Sequence, residues 1–170
     1  MSQVTPTIRH ASFPAVVDAR TRVLVLGSLP GAASLAARQY YAHPQNGFWR
    51  LTGGVIGVDL VALAYPDRLA ALLAAGIGVW DVVATAQRTG SLDAAIRDAR
   101  GNDLAALVAR LPALRLVAFN GQKAAAIGSR LLDPATPRLV LPSSSPAHTL
   151  AFAAKVLAWG ALRPYLDTRE

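Results

Sequence analysis

Apolar positions along this chain follow two rhythms. Four short runs, at residues 23–26, 78–83, 116–119 and 138–141, are almost continuously apolar and are bounded by turn-forming residues. Such runs predict strands buried on both faces. Between them the spacing becomes helical. Helices are expected over 46–55, opened at or near Asn46, and over 66–75, with Pro66 at the start and Gly76 past the end. Two short helices are expected over 91–100 and 102–110, another over 122–132, and a closing amphipathic one over 149–162. Alternating helices with fully apolar strands predicts an α/β fold, with a central four-stranded parallel sheet flanked by helices on both faces as a three-layer sandwich. No repeat, linker or low-complexity tract interrupts the 170 residues, so one domain spanning 1–170 is expected, with 1–20 as a loosely held arm.

In an open parallel sheet, ligands bind beyond the carboxyl ends of the strands. The residues found there are Gly27-Ser28-Leu29-Pro30-Gly31, Trp80-Asp81, Asn120-Gly121-Gln122, and Pro142 followed by Ser143, Ser144, Ser145 and Pro146. Each has a purely structural reading as a turn or a helix cap. All four together, followed after the first by the aromatic loop at 39–49, favour a binding site. That loop carries Tyr40, Tyr41, His43, Asn46, Phe48 and Trp49, including four of the eleven aromatic residues. Aromatic rings beside a basic surface suit an unpaired nucleic-acid base. At the head of a helix, Trp49 reads as a core anchor. Phe48 reads first as a core anchor and second as a base contact, whereas Tyr41, before Pro44, belongs to a loop. The lysine and spacing of a Walker-type phosphate cradle are missing after Gly27, and no Gly-x-Ser-x-Gly elbow is present.

Composition narrows the chemistry. The net charge is +7, and only Lys123 and Lys155 among the 17 basic residues are lysines. Arginine suits bidentate phosphate contacts, so a polyanionic partner, most simply nucleic acid, is one reading; compositional bias is the other. Cysteine is absent, which excludes disulfides, a thiol nucleophile and a cysteine-held iron–sulfur cluster. His10, His43 and His148 lack ligand spacing, so no metal or other cofactor is expected. Glu170 is the sole glutamate, which makes paired-carboxylate chemistry hard to build. No apolar stretch reaches the length of a membrane span, and the first residues carry no export signal, so a soluble, cytoplasmic protein is expected, with a monomer as the default.

The blocks GSLPGAASL, QYYAHPQNGFW, GIGVWDVV with RTGSLDAAI, VAFNGQKAA and LPSSSPAHTL resemble, in this order, the uracil-DNA-glycosylase superfamily, and most closely its hypoxanthine (deoxyinosine) branch. The resemblance covers nearly the whole chain. It implies excision of a deaminated base from DNA by flipping the nucleotide and cleaving its N-glycosidic bond. Many relatives carry Asp or Asn where Leu29 stands here. The resemblance therefore points to Asn46 as the residue that holds the attacking water, with Asp81 as a weaker catalytic candidate. An N-cap role for Asn46 is compatible with that duty. Tyr41 matches the position that stacks on the flipped base; Gly27, Ser28, Phe48 and Asn120 are the further base-contacting candidates. Ser143, Ser144, Ser145 and His148 match the loop that meets DNA, although Ser145 stands where relatives place a leucine wedge. Neither lysine is placed at the pocket, which implies no Schiff-base lyase step and an abasic product. Besides hypoxanthine, uracil and xanthine are conceivable substrates. A uracil-preferring or mismatch-specific glycosylase and a non-catalytic damage- or single-strand-binding protein are the competing readings.

Overall fold

A computed structural model describes residues 9–88 and 96–167. Its centre is the expected parallel sheet of four strands: β2 (Val23–Gly27), β3 (Ile77–Asp81), β6 (Leu116–Asn120) and β7 (Arg138–Leu141), in the order β3-β2-β6-β7. Val25 pairs with Val79 on one side and Ala118 on the other, and Ala118 pairs in turn with Leu139. Both central strands are buried at every position, which accounts for their unbroken apolar runs.

Successive residues of a strand face opposite sides, and each side of the sheet builds its own core. Val23, Val25, Ile77 and Val79 pack against α2 (Phe48–Ile56) and α6 (Phe152–Trp159), where Phe48 and Trp159 are the largest fully buried side chains. Leu24, Leu26, Val117 and Phe119 face the other way, toward α4 (Leu104–Ala109) and α5 (Gln122–Gly128). The remaining helices are α1 (Ala32–Ala37), α3 (Tyr65–Ala74) and α7 (Arg163–Leu166). Gly76, at φ +88°, lets the chain leave α3 and enter β3 directly.

Three departures from the sequence reading share one cause. The run at 78–83 is two strands: after Asp81 the Val82 and Val83 amides donate to the carbonyls of Gly27 and Ser28, and the chain turns into β4 (Val83–Gln87). β4 is the middle of a small antiparallel sheet between β1 (Arg9–Ala11) and β5 (Arg97–Gly101). The helix expected over 91–100 is therefore corrected: residues 97–101 are strand, and 91–95 lie outside the described residues. Cross-strand pairing with β4 overrides a local pattern that carries no strand alternation. Part of the stretch read as a loose arm is tied down as well. His10 pairs with Ala86, and Val16 exchanges backbone hydrogen bonds with Val79, covering the outer edge of β3.

The paired glycines of α2 separate packing from propensity. A β-carbon at Gly53 would lie 2.5 Å from the Val58 carbonyl oxygen, whereas one at Gly54 meets nothing within 4 Å. Gly54→Ala should raise stability by about 0.5–1 kcal/mol through helix propensity. Gly53→Ala should lower it by about 1–3 kcal/mol through overpacking. Denaturant unfolding of both variants checks the pair, and midpoints that moved together would contradict this packing.

Candidate active site

All four parallel strand ends open onto one cavity of about 470 Å3. Its wall combines Gly27 and Ser28 after β2, Asp81 at the end of β3, Asn120 at the end of β6, and residues 143–148 after β7, closed by Tyr41 and Asn46 from the aromatic loop. The predicted residues Gly27, Ser28, Tyr41, Asn46, Asp81, Asn120, Ser143, Ser144, Ser145 and His148 are thereby brought together. Phe48 is not among them. A second, more open groove of about 600 Å3 lies between residues 11–16, Leu35, Arg38 and Tyr65, and among the described residues only Tyr40 borders both spaces. The amide, carboxylate and hydroxyl groups collect in the smaller one.

Gly27 forms the floor because no side chain fits there. An added β-carbon would sit 2.7 Å from Asp81 Oδ1 and 3.0 Å from the Tyr41 hydroxyl, so both oxygens crowd the space above it. Asp81, paired with Gly27 in the sheet register, is 4% exposed. Its charge is felt by Tyr40, whose hydroxyl is pushed well above the usual phenol range, first by burial and then by the Asp81 carboxylate. Tyr40 consequently stays protonated and donates to the Pro14 carbonyl at 2.9 Å.

Tyr41 is held from three directions. Its carbonyl accepts from Trp49 Nε1 at 3.1 Å, its ring stacks on Phe48 at 3.8 Å with 16° between planes, and its hydroxyl accepts from Asn120 Nδ2 at 3.3 Å. These contacts maintain a left-handed backbone, φ +52°, that an aromatic residue seldom adopts. Phe48 is fully buried, which corrects its expected place among cavity-facing residues. It works one layer back, covering one face of Tyr41, which itself borders the cavity.

Asn46 is fixed by the helix it precedes. Its Oδ1 accepts from the Phe48 amide at 3.0 Å, and its own amide donates to the His43 carbonyl. Gly47 occupies the N-cap position, so the helix begins two residues later than the sequence suggests, while Asn46 still satisfies one of its first donors. A carbonyl oxygen has two acceptor directions, and one of them remains for a second donor.

Asn120 and Ser144 grip each other twice. Asn120 Nδ2 donates to Ser144 Oγ and the Ser144 amide donates to Asn120 Oδ1, both at 2.9 Å. Both residues are buried. Asn120 therefore has its amide hydrogens engaged by Ser144 and Tyr41, and its contribution to the site is the placement of those two residues. The serine loop is also held from below: Trp159 Nε1 donates to the Pro142 carbonyl at 2.9 Å and Lys155 Nζ to the Ser145 carbonyl at 3.1 Å. Lys155 is not part of the cavity wall, but it reaches the backbone of one lining residue, Ser145, a contact that the sequence did not suggest. His148 is exposed at the rim. Arg88, also missed in the sequence, is buried and donates to the carbonyls of Leu29 and Pro30 in the facing wall. A lysine inside the apolar run AFAAKVLAW was the available signal for Lys155. Arg88 offered none.

A model of the uracil DNA glycosylase superfamily matches residues 14–163. The chain belongs to this superfamily. It is 40% identical over 152 residues to a protein named hypoxanthine DNA glycosylase from Methanosarcina barkeri, covering 89% of this chain and 96% of that one. Its identity to the protein of the same name from Methanosarcina acetivorans is 45% over 136 residues, 80% of this chain and 86% of that one. A solution NMR structure of a candidate uracil DNA glycosylase from Methanosarcina acetivorans superposes with a TM-score of 0.84 at 40% identity, covering 94% of this chain and 99% of the other. Both the superfamily resemblance and its hypoxanthine branch agree with these relatives, and so does the three-layer fold.

Among the described residues no group of three or more His, Cys, Asp or Glu stands close enough to hold a metal, and no helix is long and apolar enough to cross a membrane. Within this superfamily member the Asn120–Ser144 pair should be a stability element. Asn120→Ala leaves the Ser144 amide buried without its acceptor and should cost about 1–3 kcal/mol. An unchanged unfolding midpoint would show that the pair contributes nothing.

Proposed function

We propose that this chain is a monofunctional DNA glycosylase that removes deaminated bases, hypoxanthine first and uracil or xanthine as further substrates, and leaves an abasic site for base-excision repair. The observation that carries the reading is the convergence of the Asn46 amide, the Tyr41 ring and the Asp81 carboxylate on one cavity beneath a serine-rich loop. The hypoxanthine DNA glycosylases that this chain resembles at 40% and 45% identity supply the substrate class.

In this mechanism a nucleotide rotates out of the duplex and its base enters the cavity, where stacking on Tyr41 offsets part of the lost pairing and stacking. Water, held by the remaining acceptor direction of Asn46 Oδ1, adds to the anomeric carbon of the sugar as the bond from that carbon to the base nitrogen breaks. The electron pair of the broken bond leaves with the base, which takes up a proton; the water loses one, and the sugar keeps the hydroxyl. Asn46 is neutral and a poor proton acceptor, so its part is orientation. The buried negative charge of Asp81 favours the cationic character that develops on the sugar, and the net charge of +7 favours the DNA polyanion.

Labelled duplexes bearing hypoxanthine, uracil or xanthine, incubated with the protein and then treated with alkali, test this directly. Strand breaks at the lesion should appear after alkali and not before it. Binding with no alkali-sensitive site would sink the enzymatic reading, and breaks before alkali would add a lyase step. Asn46→Ala should slow excision by about 10²-fold, the order of loss expected when a reacting group is no longer held in position. The same change should cost about 0.5–2 kcal/mol of stability through the lost capping bond. Excision near the wild-type rate would mean that another group holds the water.

A further inference from the structure

Helix α6 supports the serine loop from within through two side chains one turn apart, Lys155 and Trp159. Together with the Gly47 amide, which donates to the Ser144 carbonyl at 2.9 Å, they occupy the carbonyl oxygens of Pro142, Ser144 and Ser145. The loop amides are occupied too: that of Ser144 by Asn120 Oδ1, that of Ser145 by Ser143 Oγ, and that of Ala147 by Ser145 Oγ. With Ser144 Oγ accepting from Asn120, all three serine oxygens already accept a hydrogen bond. Each retains its own hydroxyl proton to donate. Three of the loop carbonyls are thus turned to donors within the chain, and the half-buried Ser143 and Ser145 keep hydroxyl protons for an outside acceptor.

Lys155 differs from Trp159 in one respect. It is 5% exposed, its ammonium has a single carbonyl as partner, and no ion pair with a carboxylate is made among the described residues. Burying a cation this way is unfavourable, and an apolar residue of similar size serves stability at least as well. The desolvated ammonium also has its pKa pushed below the usual lysine range. A carbonyl can be held by a neutral donor, as Trp159 demonstrates at Pro142, and the Ser145 carbonyl already has one in the His148 amide at 3.1 Å, so holding that carbonyl does not account for a charge at 155.

We infer that Lys155 is a positioning residue for DNA: its ammonium contacts the Ser145 carbonyl and supplies the positive charge under a serine loop in which the hydroxyls of Ser143 and Ser145 receive one backbone phosphodiester. This rests on the reading of the chain as a DNA-binding glycosylase, and it deepens that reading by assigning the phosphate contact a buried cation on α6. The surface arginines add general attraction, whereas Lys155 acts at one place.

The experiment uses the full chain and a fluorescein-labelled duplex without a lesion, with anisotropy measured across a salt series, alongside single-turnover excision on a hypoxanthine duplex. Lys155→Met should weaken lesion-free binding by about tenfold, and the log–log salt dependence should become shallower by about 0.9, the share of one phosphate. Its melting temperature should equal or exceed that of the wild type. Excision at saturating protein should hold its rate while the half-saturating concentration rises, and Lys155→Arg should restore most of the affinity. Unchanged affinity and salt slope in Lys155→Met would overturn the inference. So would an affinity loss that follows a drop in melting temperature and is not rescued by arginine, because that marks a structural role only. Should Lys155→Met fail to fold, Lys155→Gln is measured against the same expectations; failure of both neutral variants to fold also overturns it. Wild-type protein that binds the duplex but excises nothing defeats the glycosylase reading alone and leaves the Lys155 comparison intact.

Discussion

Two hydrogen bonds of 2.9 Å between the Asn120 amide and Ser144 hold this architecture to its site. Both partners are buried, so neither can exchange the other for water. From this pair the connections fan out: Asn120 reaches the Tyr41 hydroxyl, and the Ser144 carbonyl takes the Gly47 amide at the head of α2. One side chain at the end of a central strand thus sets the spacing between an aromatic ring, the helix start that carries Asn46, and the serine loop. The parallel sheet makes this economical, because β6 delivers Asn120 at the same edge where β2 delivers Gly27 and β3 delivers Asp81.

The position next to Ser28 shows how such a site redistributes its chemistry. Leu29 borders the cavity, yet it is 6% exposed and packs with Leu24 and Leu26 in one of the two cores. A residue committed to the core in this way has no polar group to offer. The hydrogen-bonding duty proposed for the water lies instead on Asn46, whose orientation is set by the backbone of α2 and whose neutrality removes the cost of burying a second carboxylate near Asp81. The wall at Leu29 is itself kept in place by Arg88, which reaches back from the end of β4.

How much of this could be read beforehand depended on distance along the chain. The four parallel strands were legible because burial on both faces leaves apolar runs between turn residues, and their ends named most of the cavity wall. α1, β1 and β5 were not legible. RDARG carries no alternating pattern, and only its pairing with β4 makes it a strand. The same limit applied inside the site. Tyr41 and Asn46 stood out because they sit in one short loop, whereas Lys155 reaches the serine loop from the following helix through a long side chain and Arg88 arrives from a strand remote in sequence. Phe48 was misplaced by one layer, since a stacked pair of rings reads identically from either side until burial is known.

The ring stack has a consequence of its own. Phe48 lies 3.8 Å from Tyr41 and meets two indoles edge-on, Trp49 at 5.0 Å and Trp159 at 6.0 Å, both nearly or wholly excluded from solvent. A base stacked on Tyr41 would therefore be separated from the indoles of the central core by the Tyr41 and Phe48 rings. That chain of rings makes near-ultraviolet dichroism and intrinsic emission the natural optical reporters of cavity occupancy in the unlabelled protein.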